Sequence, residues 1–205
     1  MNFLNHRYAK YFWLLALSVA SLPIAGGVAY AKELIDVTGM YPNLDFRMED
    51  VRSGTEVAPP DYRGKVVVLL FGYTTCPDVC PTELATLSSV IDRSTDLRDQ
   101  ISILFVTVDP NRDTPAVLKQ FVEAFSPGVT GLRGTPNELA LLARRYRASY
   151  TVRPSDKPEN YKVDHTATVL IFDRKGQIRF LGPNGTSEAD FEHDLRLLVR
   201  ETSSQ

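Results

Sequence analysis

The sequence predicts an α/β domain built on a mixed β-sheet, and three observations predict it. The runs "KVVVLLF" (65–71), "ISILFVTV" (101–108) and "TATVLIF" (166–172) have the unbroken hydrophobicity of strands covered on both faces. Segments with helix-start chemistry stand between these runs. The resulting order of strand, helix, strand, helix, helix, hairpin and helix is that of an α/β fold with a mixed sheet.

Taken from the N-terminus, "YFWLLALSVASLPIAGGVAYA" (11–31) carries no charge and follows His6, Arg7 and Lys10. This is the pattern of an export signal, and Ala29-Tyr30-Ala31 offers a signal peptidase a place to cut. A retained N-terminal anchor is the alternative, since the segment is about long enough to span a bilayer. Residues 1–31 are therefore expected to be a signal peptide or membrane anchor, and 32–205 the folded domain. Either outcome puts that domain in the periplasm or on the outer face of the inner membrane. A mitochondrial presequence would be Arg- and Ser-rich and amphipathic, which this segment is not.

The lead-in from Glu33 to Asp61 is punctuated by Gly54, Pro59 and Pro60, with "NLDFRMED" as one short strand. Helix starts are clearer. Thr114-Pro115 opens "PAVLKQFVEAF" with an N-cap and a proline at the first helical position. Thr135-Pro136 repeats the device, and Glu138 completes a capping box. Ser187 followed by Asp190 starts the C-terminal helix, and "QIRFLG" after Lys175-Gly176 forms a hairpin with the third apolar run. The longest unassigned stretch is "SYTVRPSDKPENYKVD" (149–164), a length that in compact domains marks a functional or mobile loop.

Charge excludes one class of partner. The chain has a net charge of −2, and without Arg7 and Lys10 it keeps 21 basic against 25 acidic residues, a net −4. No basic stripe is present, so nucleic acid is not a partner.

The chemistry concentrates in "FGYTTCPDVCPTEL" (71–84), which holds both cysteines of the chain. A buried strand passes through Gly72 and delivers Cys76 to its C-terminal edge, where α/β sheets hold ligands. Pro81 suits the first position of a helix, which places Cys80 near an N-cap, where amides and the helix dipole favour a thiolate. Such a pair serves as a structural disulfide, a redox couple or two metal ligands. The loop it would close is very short, so a staple gains little. The spacing of three residues also departs from the two of thioredoxin-type redox motifs.

A metal needs more ligands. Of three histidines, His6 belongs to the export segment and His193 to a helix, leaving His165 at the start of the third apolar run. Alone it would read as a hydrogen-bonded structural residue, but it can reach the sheet edge that carries the cysteines. Two thiolates and an imidazole form a soft three-coordinate set that fits Cu(I) and expands for Cu(II). Structural zinc lacks a fourth protein ligand, whereas an open zinc site stays compatible with the ligand types. Met40 and Met48 are the only methionines after residue 31, too few for a methionine-rich carrier.

The segments "FGYTTCPDVCPTEL", "FVTVDPNRDTP", "GLRGTPNEL" and "YKVDHTATVLIFDRKG", in this order, resemble the Sco/SenC family of copper-binding assembly proteins. "FRMEDVRSG" and "YRGK" extend the likeness, which runs from Leu44 to Val199. The resemblance implies a thioredoxin-like fold, membrane-anchored or exported, with one copper ion per chain held by Cys76, Cys80 and His165. It implies delivery of copper to the copper A site of cytochrome c oxidase subunit II, or reduction of its cysteines; another copper-accepting protein is the alternative client. Residues 11–31 would give membrane association.

Three neighbouring features bear on the site. In "DPNRDTP", Asp113 or Thr114 caps a helix and Arg112 pairs locally, or Asp109, Arg112 and Asp113 tune the site. Asp78 is exposed and positioned to guide a basic partner. Asp164 is positioned to orient the His165 ring. Beside the chaperone stands a thiol–disulfide reductase using Cys76 and Cys80. A peroxidase is weaker, because no residue that would polarise a peroxide near Cys76 is evident.

Overall fold

The structure, a computed structural model, describes residues 34–156 and 161–201. The export segment expected over 1–31 lies outside them. In chain order the strands and helices are β1 (Ile35–Asp36), β2 (Met48–Asp50), β3 (Thr55–Val57), β4 (Val66–Gly72), α1 (Val79–Asp92), α2 (Thr95–Arg98), β5 (Ile101–Thr107), α3 (Pro115–Glu123), β6 (Val129–Arg133), α4 (Pro136–Arg145), β7 (Tyr150–Arg153), β8 (Lys162–His165), β9 (Val169–Phe172), β10 (Ile178–Gly182) and α5 (Glu188–Arg200). A 3₁₀ turn covers Pro59–Tyr62.

Eight strands form one sheet in the order β1-β10-β9-β4-β5-β6-β2-β3. β4 and β5 lie at its centre and are buried along their full length. That burial is what their β-branched and aromatic content is suited to, at about 1.5–3 kcal/mol for each large apolar side chain taken out of water. β4, β5 and β6 run parallel, while β9 joins β4 antiparallel. The expected mixed sheet is therefore borne out, and helices flank it. α1 and α5 pack on one another, and α3 covers β5 through Phe121 against Phe105, ring centres 5.3 Å apart.

The local signals work as their chemistry requires. Thr114 accepts a hydrogen bond from the Val117 amide, and Thr135 and Glu138 form the capping box. Ser187 accepts from the Asp190 amide at the start of α5. In the lead-in, Leu44, Phe46 and Met48 alternate inward, as an extended strand does, and the chain pairs from Met48 on.

Two sequence expectations are corrected. Within the stretch 149–164, read as unassigned, two strands form: β7 and β8 pair antiparallel, with Tyr150 opposite His165, as a two-stranded sheet of its own. His165 consequently ends β8 rather than starting the third buried strand, which begins at Val169.

Candidate metal centre

Cys76 and Cys80 lie where β4 turns into α1. The turn is tight because Gly72 has no Cβ: one built there would stand 2.4 Å from the Phe105 ring and 3.0 Å from the Cys80 Sγ. The helix begins earlier than Pro81 suggested. Asp78 is the N-cap and Cys80 the second helical residue, with Pro81 still in the first turn, where no intrahelical N–H is needed. Asp78 is exposed, as expected.

His165 arrives from the end of β8. Its Nε2 lies 3.2 Å from the Cys80 Sγ, and its Nδ1 lies 3.0 Å from the Thr166 carbonyl oxygen. The carbonyl can only accept, so Nδ1 carries the proton and Nε2 turns a lone pair toward the sulfurs. Asp164, expected to orient the ring, instead pairs with Arg153 on the exposed hairpin. The Tyr73 ring stands edge-on to the imidazole, centroids 5.7 Å apart at 90°.

The donor atoms of Cys76, Cys80 and His165 all lie within 4.8 Å of one another, and no other such group occurs among the described residues. That is close to the separations of three donors around one ion bound at about 2.0–2.3 Å. Both thiols are free, Cys76 partly exposed and Cys80 buried. Burial pushes the Cys80 thiol well above its ordinary range, and the neighbouring Cys76 thiol adds to the rise. Burial thus opposes the thiolate that the helix start was expected to favour. A bound cation reverses that balance, since it pays for the charge of the thiolate it coordinates. Two soft sulfurs and one imidazole fit copper.

Two buried carboxyls lie close by, Asp113, which the sequence reading offered as a helix cap or as part of the site, and Glu83, which it missed. Asp113 is fully buried and accepts hydrogen bonds from the Thr74 amide (3.0 Å), the Thr74 hydroxyl (2.6 Å) and the Thr107 hydroxyl (2.5 Å). It therefore ties down the cysteine turn rather than capping α3, which Thr114 does. Glu83, one turn beyond Cys80, lines a small pocket with Cys80, His165 and Ala167. Its carboxyl is 6% exposed, one oxygen has no hydrogen-bond partner, and burial pushes its pKa up to about 7 against the pull of the Gly185 amide. Its only sequence signal was the spacing from Cys80, which puts both on one helix face. His193 is exposed beside Asp194, remote in role from the cluster.

A cavity of about 630 Å³ lies between the lead-in and α4 and contains none of these donors. Its charged groups are already paired, Arg145 with Asp45 within the lining and Glu138 in the capping box, so size does not make it the centre of chemistry.

The sequence profile of the SCO1/SenC family matches residues 43–200. The human SCO1 homologue of mitochondria is 37% identical over 135 residues, 64% of this chain and 45% of that protein. The chain thus spans about half the length of its human and bovine relatives. Among solved structures, copper-bound ScoI of Bradyrhizobium japonicum has a TM-score of 0.69 at 34% identity, covering 76% of this chain and 98% of that one. Copper-bound yeast Sco1 gives 0.70 at 31% identity, covering 80% and 92%. The fold is the thioredoxin-like one of the Sco structures, as the resemblance implied. Profile, relatives and structures agree with the motif order read from the sequence, and the chain belongs to the SCO1/SenC family.

Proposed function

We propose that the chain is an extracytoplasmic copper chaperone that holds one copper ion through Cys76, Cys80 and His165 and passes it to a partner's thiolates by ligand exchange. The observation that carries this reading is the convergence of the three donors within 4.8 Å, with Nε2 of His165 left as the free lone pair. Partly exposed Cys76 is the natural first point of exchange, since an incoming thiolate can reach a metal on that side while buried Cys80 and half-buried His165 still hold it. The client is a copper-accepting protein, and the copper A site of cytochrome c oxidase is the acceptor the family points to. A related structure is described as a member of a family of cytochrome c oxidase assembly proteins. Residues 1–31 act as signal peptide or anchor, putting the domain in the periplasm or on the outer face of the cytoplasmic membrane. No helix among the described residues is long and apolar enough to cross a bilayer.

A second reading is favoured by the asymmetry of the thiols. Cys76 is accessible and Cys80 is buried beside it, the arrangement of an attacking and a resolving cysteine. In that reaction the Cys76 thiolate attacks a partner disulfide, forming a mixed disulfide. Cys80 then displaces the partner as a dithiol, leaving Cys76 and Cys80 oxidised.

Copper titration of the reduced protein separates the readings. One equivalent of Cu(I), bound by the parent and lost in Cys76→Ala, Cys80→Ala and His165→Ala, is the expected result. Binding indifferent to His165→Ala would sink the three-ligand site and leave the reductase, whose disulfide exchange needs no imidazole.

A further inference from the structure

The part of the site with the least support from the main sheet is the part that carries His165. β7 and β8 pair only with each other, and an isolated two-stranded hairpin is marginal in water. Three of the four β7 residues are exposed, and Val163 is the one fully buried residue of β8. At the base, Ser149 and Thr166 exchange hydrogen bonds of 2.8 and 2.9 Å. Something must fix the other end.

Arg112 does so. Its Nε donates to Asp109 Oδ2 at 2.5 Å and its NH1 to the Tyr161 carbonyl at 2.8 Å, while Tyr161 Oη donates to Asp109 Oδ1 at 2.6 Å. Both carboxylate oxygens of Asp109, 3% exposed, are thus used. The guanidinium carbon lies 3.7 Å over the Tyr161 ring and 5.8 Å from the centre of the Tyr73 ring, which itself stands edge-on to His165. Arg112 is therefore set between the residue that leads into β8 and the aromatic that precedes the cysteines. One residue on, Asp113 grips Thr74 of the cysteine turn.

We propose that Arg112, Asp109 and Tyr161 form a positioning clamp that holds the His165 strand in register with the cysteine turn, the 109–113 loop being the common frame for both ligand-bearing segments. The chemistry selects arginine. A planar guanidinium stacks on a ring and donates along two edges at once, which an ammonium cannot do. This inference rests on the copper reading for its metal arm, and a second arm is independent of copper.

The test uses the full chain and its Arg112→Met, Arg112→Lys and Tyr161→Phe variants. In the Cu(II)-loaded protein, Arg112→Met is expected to lower Cu(II) affinity about 10- to 100-fold, as loss of outer partners of metal ligands does. The imidazole nitrogen coupling in the electron spin resonance spectrum should weaken, while the sulfur-to-copper charge-transfer band persists. Arg112→Lys should rescue little. In the reduced metal-free protein, amide exchange at Lys162–His165 should accelerate while α1 and β4 keep their protection. If Arg112→Met loses the fold as a whole, Tyr161→Phe, which removes one hydroxyl, decides by the same readouts with a smaller expected change. Unchanged nitrogen coupling and unchanged exchange at Lys162–His165 would overturn the clamp. Should the parent bind no copper, the chaperone reading falls and the exchange arm alone decides the clamp: acceleration upholds it, its absence overturns it.

Discussion

The cysteine turn and the histidine hairpin meet at one point, yet they are held in opposite ways. The turn grows out of the two central strands: Gly72 sits against Phe105 and Cys80, Asp113 binds Thr74, and the leucines of α1 pack without exposure. The hairpin stands outside the sheet, exposed along β7 and joined to the body through a few named contacts. One half of the site is made by the core and the other is attached to it. In the proposed copper site, two donors thus come from the core and the third from an appended hairpin, the kind of element that opens locally before the rest of a domain.

The largest effect should come from breaking the rigid half. A methyl group at Gly72 would meet the ring of Phe105, which is fully buried and has no room to retreat. Gly72→Ala is expected to cost about 2–3 kcal/mol, the upper part of the roughly 1–3 kcal/mol range of overpacking in a dense interior. It should also push the Cys80 sulfur from its place. Urea denaturation measures the first effect and Cu(I) affinity the second, and a variant as stable as the parent with intact copper binding would show that the turn is not packed as described.

The difference between the halves also explains what could be read from the sequence. The cysteine half advertises itself through local signals: a buried apolar run, a glycine, two cysteines at a fixed spacing and a proline in the first helical turn. Helix caps at Thr114, Thr135 and Ser187 are equally local, and they were legible for that reason. The hairpin's strands are four residues each, and the segment joining them is rich in proline and charge. No periodicity develops over so few positions, so the stretch read as a loop. The contacts that complete the site span long distances in sequence, Arg112 to Tyr161 across 49 residues and Cys80 to His165 across 85. Composition cannot reveal these pairings. The burial of Cys80 escaped the sequence for a related reason: the helix start is visible there, whereas burial is a property of the assembled core.

Glu83 gives an intermediate effect, because it is part of the rigid half but contributes charge rather than packing. Burial holds its carboxyl neutral to about pH 7, while in the unfolded chain it ionises near 4.5. Between those values the folded state binds the extra proton. The stabilisation is complete below the unfolded value and is lost as pH rises through the folded one. The reduced metal-free protein should therefore lose about 2 kcal/mol between pH 5 and pH 8 from this group. Glu83→Gln should flatten that part of the profile, leaving the variant the more stable of the two at pH 8. Parallel pH profiles for the two proteins would mean that the carboxyl is solvated after all.

The smallest effect belongs to the outer face of the hairpin, and it sharpens the comparison by marking where the hairpin is not held. Asp164 adjoins His165 in sequence, but its side chain points away to Arg153, with both groups more than half exposed. Exposed pairs of this kind contribute about 0–1 kcal/mol, less in salt. The imidazole meanwhile takes its orientation from the Thr166 carbonyl, a backbone group that no side-chain replacement removes. Asp164→Asn should thus leave both stability and copper affinity within about twofold of the parent, with the Nδ1-protonated tautomer of His165 retained in its nitrogen NMR shifts. A large loss of copper affinity in Asp164→Asn would instead return the carboxylate to the ring, and would mean that the hairpin rearranges when the metal is bound.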